Sequence, residues 1–235
     1  MEDVTPRTRK KPERRPAPLT REQIVEAAVG LLDTAGESGL TFRALSERLA
    51  TGPGAIYWHV AGKSELLAAA TDHAVSTALS EEAEAGLPGR IHDVALGLFR
   101  SIEQHPWLAP QLTAQISHNP AGLVTTRIFE AIGRQVYALG VPASNWFTAT
   151  SALMHYILGA AGQNAANLAL ARSLGPEADR DVYMDAVAAI WKQLSPQEFP
   201  FTRAVADHGL DHDDRAQFLV GIDLILAGIE ADHAR

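Results

Sequence analysis

Apolar residues recur at three- and four-residue intervals through almost all of this 235-residue chain, and no stretch of any length alternates in the manner of a strand. The pattern predicts an all-α protein of about ten helices. Ile24, Ala27, Ala28, Leu31 and Leu32 mark the first, opened by Thr20 with Gln23 at capping-box spacing and stopped by Gly36. Thr41 caps a short second helix with Leu45 and Leu49 inward. Thr51-Gly52-Pro53-Gly54 then turns the chain into a third helix over 53–59, its proline suited to the first turn. A fourth opens at Lys63 or Ser64 and carries Leu66, Leu67, Ala70, Ala74 and Ala78 to about Glu84.

A Gly86-Leu87-Pro88-Gly89 cluster follows, and after it the periodicity predicts helices over 90–104, 106–117, 120–139, 143–170, 176–194, 201–207 and 213–231. Three regions are expected: a disordered basic arm over 1–18, a unit of short helices with its connecting helix over 19–85, and a larger helical part over 86–235. The helix over 143–170 is rich in small residues, so another helix can approach it closely. The last helix is apolar nearly all round, through Phe218, Leu219, Ile222, Ile225, Leu226 and Ile229. Such a helix must be covered on every side, and two helices from each of two copies forming a four-helix bundle would do it. A homodimer is expected.

The second and third helices, short and joined by a Gly/Pro turn, have the form of a helix-turn-helix, which lays its second helix in the DNA major groove. Gly54 and Ala55 are small enough to let the backbone approach bases and touch a thymine methyl. Tyr57, Trp58 and His59 cluster beyond them, Arg43 is placed to reach a phosphate or a guanine edge, and Lys63 to clamp a phosphate at the next helix start. A plainer reading stands beside each: Tyr57 and Trp58 serve equally well as core anchors, His59 as a structural histidine, Arg43 as a solvated cation.

Charge sharpens this picture. The net charge of −8 is uneven, because 10 of the 20 Lys and Arg fall within residues 1–63 against 8 acidic residues, leaving the remainder strongly acidic. A phosphate-binding footprint is therefore local and N-terminal. Arginines and lysines of the arm, Arg7 to Arg15 among prolines, are candidates for a flanking minor groove. With no cysteine, disulfides, thiolate metal sites and a cysteine nucleophile are excluded, which suits a reducing cytoplasm. The arm lacks the apolar centre of a secretory signal, and the uncharged stretch 135–171 is interrupted by polar residues throughout, so a cytoplasmic protein without a membrane partner is expected. No nucleophile elbow, phosphate loop or acid/base pair points to an enzyme. None of the nine histidines pairs at ligand spacing in a credible site, Asp207-His208…Asp211-His212 reading as a solvated loop or helix start, so neither metal nor cofactor is expected. A small-molecule pocket is expected where aromatic and polar groups mix, at Phe99, Trp107, His118, Phe129, Trp146, His155, Tyr156, Gln163 and Asn164.

Residues 20–70 resemble the TetR family of bacterial transcription regulators, in the Leu-Leu…Gly…Gly-Leu-Thr…Arg-Ala-Leu-Ser…Leu run and in Tyr57-Trp58-His59-Val60, which is similar to the tetracycline-repressor branch. His155-Tyr156-Ile157-Leu158-Gly159 and the stretch 218–230 are similar to two later helices of that branch. The resemblance implies a homodimeric repressor of a palindromic operator, released when a small-molecule effector fills the C-terminal part; a ligand-independent DNA-binding protein or an activator of the same fold is the alternative. It carries DNA contacts onto Thr41, Arg43, Pro53, Gly54, Ala55, Tyr57, Trp58, His59 and Lys63. Two departures matter. Gly54 and Ala55 stand where side chains usually read bases, and 107–117 holds no histidine, so tetracycline with its magnesium is not the expected ligand.

Overall fold

The computed structural model describes residues 18–84, 91–174, 180–208 and 213–233. Apart from Pro18, the basic arm falls outside these residues, as does the 86–89 cluster. Within them the fold is all-α: eleven α-helices and one 3-10 turn, with no strand. In chain order these are α1 (Arg21–Gly39), α2 (Phe42–Arg48), α3 (Pro53–Tyr57), α4 (Lys63–Glu84), α5 (Ile91–Gln104), α6 (Leu108–His118), α7 (Leu123–Ala138), the 3-10 turn Ala143–Asn145, α8 (Trp146–Leu174), α9 (Arg180–Lys192), α10 (Pro200–His208) and α11 (Asp214–His233).

Local chemistry accounts for the ends. Thr20 and Gln23 form both halves of the capping box at the start of α1. Gly36 takes φ 63° and ψ −168°, a conformation open to glycine at little cost, and breaks the helix before its last residues. Leu40 can then drop into the core. The third helix stops at Tyr57, two residues short of the predicted end, where the Trp58 N–H turns back to Ile56. The predicted start at 106 moves to Leu108, because the His105-Pro106 step cannot continue α5. The start predicted at 120 moves to Leu123, after a turn closed by the Gly122 N–H on the Asn119 carbonyl (2.8 Å). Residues 143–145 are a 3-10 turn rather than the head of the long helix, and Trp146 opens α8 with its indole N–H on the Val141 carbonyl (2.6 Å).

Ile24, Leu32, Leu40, Leu45, Ile56 and Leu66 are buried together under α1–α4, while Leu31 and Leu49, predicted inward, are only half-buried. Each fully buried side chain of this size contributes about 1.5–3 kcal/mol through removal from water. α4 leaves this group to pack on α5, α6 and α7; α5 and α7 pack in turn on α8, and α8 on α11. α9 and α10 pack chiefly on each other, with Arg203 bonding the carbonyls of Lys192 and Leu194. No helix among the described residues is long and apolar enough to cross a membrane.

Candidate functional site

α3 is pinned by Ile56 and Val60, both buried, so the residues between and before them face outward. Thr41 accepts the Ala44 N–H (3.1 Å) and thereby sets the start of α2. Phe42 stacks on Tyr57 with ring centroids 4.4 Å apart and planes 10° from parallel, which locks α2 to α3 across the turn. Tyr57 thus serves both readings, one face packed and the residue still half exposed. Trp58 does not, because it is 90% exposed. A large indole left in water contributes nothing to the core, and with half-exposed Tyr57 beside it Trp58 makes an exposed aromatic pair at the end of α3. A Cβ added at Gly54 would meet only open space, so the fold does not require a glycine there. Arg43 is exposed, its Nε on Glu47 Oε1 (3.0 Å) one turn on. Pro53 is exposed, Ala55 and His59 half-buried.

Lys63 Nζ turns back to donate to the Glu37 carbonyl (2.7 Å), near the Glu37 carboxylate at 4.0 Å, and so sits over the end of α1 with its side chain still partly exposed. At the same junction Glu65 accepts the Ala61 N–H (2.7 Å) and the Arg21 guanidinium (3.2 Å). The backbone N–H first, then Arg21, hold the Glu65 carboxyl below its ordinary value of 4.5. A carboxylate whose folded pKa is depressed stabilises the fold above its unfolded pKa, and that contribution disappears as pH falls through the folded value. Glu65→Gln should therefore flatten the acid side of a stability profile below about pH 4.5. Thermal melts of both proteins from neutral pH downward check it, and parallel profiles would rule it out.

The nine pocket candidates do not converge on one place. Phe99, Tyr156, Gln163 and Asn164 line a cavity of about 620 Å³ between α5, α8 and α11, together with Gln217, Phe218, Gly221 and Leu224. Phe99 and Phe218 pack with centroids 4.6 Å apart, and the Tyr156 hydroxyl donates to the Phe218 carbonyl (3.1 Å). Burial pushes the pKa of that phenol up, so it stays a neutral donor. Asn164, 5% exposed, donates to Glu103 Oε1 (2.7 Å). The other five lie elsewhere. Trp107 is buried with its indole N–H on Asp33 (2.7 Å), Phe129 packs on Phe147, and Trp146 meets Tyr137 edge-on. His118 borders a separate cleft between α4 and α6, and His155 is exposed on α8. Among the described residues no cluster of three His, Asp or Glu could hold a metal ion.

Sequence reasoning missed the α11 wall of the cavity. Its signal was Gly221, a glycine inside an apolar helix, which is where another group approaches closely. A Cβ there would fall inside the Tyr156 phenol, whose ring is backed by Phe218. Gly221→Ala should cost about 1–3 kcal/mol by overpacking, read as a lower denaturation midpoint. An unchanged midpoint would mean that Tyr156 can leave its seat freely.

Residues 24–70 match the family described as bacterial regulatory proteins, tetR family, and residues 81–233 match the tetracyclin repressor-like C-terminal domain. The chain belongs to the TetR family. It is a helix-turn-helix regulator of transcription. Among solved structures, the TetR regulator SCO7222 from Streptomyces coelicolor is 61% identical, with a TM-score of 0.80 over 91% of this chain and 99% of that one. An HTH-type transcriptional regulator of Saccharopolyspora erythraea is 32% identical over 143 residues, which are 60% of this chain and 59% of that relative's length. The HTH-type transcriptional repressor DrrR1 of Streptomyces coeruleorubidus is 27% identical over 228 residues, 95% of this chain and 82% of that one. Within this TetR-family chain, α2 and α3 fall inside the N-terminal match, and the cavity falls inside the C-terminal one.

Proposed function

We propose that this TetR-family protein is a homodimeric repressor that reads a palindromic operator with α3 and releases it when a small molecule fills the cavity between α5, α8 and α11. Residues 19–85 do the reading; residues 86–235 pair the subunits and hold the effector. The observation that carries the DNA reading is Trp58, bare to solvent one residue after α3, beside the open space at Gly54. Exposed Thr41, Arg43, Pro53 and Tyr57 surround the same turn.

Dimerisation rests on two stripes. Thr148, Ala152, His155, Gly159, Gln163, Ala166 and Leu170 are the exposed positions of α8 that recur at steps of three and four, and Gln217, Val220, Leu224, Ala227 and Ala231 do the same on α11. That is the spacing of helices made to pack on other helices. α8 and α11 already pack on each other, so a second copy related by a two-fold axis completes a four-helix bundle.

Phenyl walls at Phe99 and Phe218, with amides at Gln163 and Asn164, suit a ligand with an aromatic or apolar body and a few polar groups. Such a ligand acts by binding more tightly to a conformer whose two α3 helices no longer match the 34–36 Å spacing of successive major grooves. The work is done in the cytoplasm, where the DNA is, and without catalysis. Nuclease footprinting on the intergenic DNA beside the gene tests the reading: protection of an inverted repeat is expected, and the absence of any protected site would overturn it.

A further inference from the structure

We infer that the junction of α5 and α6, residues 103–107, transmits occupancy of the cavity to the DNA-reading helices, with Asn164 at the cavity end and Asp33 of α1 at the other. The inference rests on the function proposed above and says how it is regulated. The connection is a chain of short polar contacts. Asn164 lines the cavity, is 5% exposed, and gives its amide N–H to Glu103 Oε1 at 2.7 Å. Glu103 sits in the last turn of α5. Two residues later His105 meets Asp33 Oδ1 at 2.6 Å, and the Trp107 indole N–H reaches the same oxygen at 2.7 Å.

A carboxylate only accepts, so the His105 hydrogen lies on Nδ1, and both donors converge on one oxygen of α1. Pro106 between them holds φ near −65° and restricts His105, which leaves little slack along 103–107. Gln111, one turn into α6, adds a bond to Glu37 Oε2 (2.9 Å). These side chains tie the C-terminal half of α1 to the body of the protein, while α4 is the helix that packs against both.

An effector bearing a carbonyl or hydroxyl oxygen at Asn164 would draw that amide away from Glu103. The last turn of α5 would then be free to shift, and with it the two donors that fix Asp33. Neither Asp33 nor Glu103 lines the cavity. They are positioning residues.

The chain has four tryptophans, so indole N–H resonances in a nitrogen-15 spectrum are few enough to assign, with Trp107→Phe identifying the signal of interest. Asn164→Asp sets two acceptors against each other and must move the Trp107 resonance, and it must change affinity for the footprinted operator by about fivefold or more. Adding Glu103→Gln restores a donor and acceptor with reversed polarity, so the double variant must return both readouts to wild type. A Trp107 signal unmoved by Asn164→Asp, or a double variant that behaves as the sum of its singles, overturns the inference. Should Asn164→Asp fail to unfold cooperatively, Glu103→Leu breaks the same bond and must move the same signal, while Glu103→Gln alone, which can still accept from Asn164, must leave it in place. The resonance needs neither DNA nor effector. A wild-type protein that binds no DNA would thus refute the proposed function through the affinity arm alone.

Discussion

Leu224→Glu is expected to leave each subunit folded and to lower operator affinity by about 100-fold or more. Leu224 is 70% exposed on α11, so a charge there costs the lone subunit little. Across a two-fold axis the same charge would be buried without a partner against the α8 and α11 stripes of the second copy, a loss of several kcal/mol for the pairing. Separated subunits bind their half-sites independently and forfeit the effective concentration that joins the two events. Because Leu224 also borders the cavity, Ala166→Glu, exposed on α8 and outside the cavity lining, should do the same. Sedimentation should give a dimer for the parent and monomers for both variants, with affinity falling in step. Monomeric parent protein at micromolar concentration would contradict the bundle; dimeric variants would place the pairing surface elsewhere.

Trp58→Ala is expected to leave the melting temperature unchanged and to weaken operator binding by about 2 kcal/mol, roughly thirtyfold. The first half follows from an indole that is 90% exposed. The second follows because an aromatic anchor buried only on binding contributes its whole apolar surface to the complex. The salt dependence of binding should hardly move, since Trp58 carries no charge. Arg43→Ala is the useful contrast: if Arg43 neutralises a phosphate, its loss lowers the salt slope by about one. Titrations of labelled operator at several salt concentrations separate the two. Unaltered affinity in Trp58→Ala would return the indole to the role of an idle surface residue.

The helices themselves were legible because their causes are local. Thr20 with Gln23, Gly36, Thr41 and Pro53 act within one or two turns of their own positions, and each does in the structure what its chemistry requires. The helix starts predicted at Pro106 and Pro120 lie too early, since the turns there are closed by backbone bonds that periodicity does not report. The outward character of Trp58 could not be read, because an aromatic two residues after Ile56 fits a core and a DNA surface equally well until burial is known. Lys63 illustrates the same limit: its acceptor, the Glu37 carbonyl, is 26 residues away in sequence. The cavity was half legible. Tyr156, Gln163 and Asn164 recur along one helix, but Gln217, Phe218 and Gly221 join them only through packing of α11 on α8, and Trp107 left the set because Asp33 claims its indole.

The most direct measurement retains sheared fragments of the protein's own genome on the purified full-length chain at low ionic strength and sequences what stays bound. A few discrete sites are predicted, each an inverted repeat whose half-sites lie one or a small number of helical turns apart, 34–36 Å per turn. Retention of no fragment above background would contradict the assignment of α3 and Trp58 to DNA, and with it the regulation built upon them.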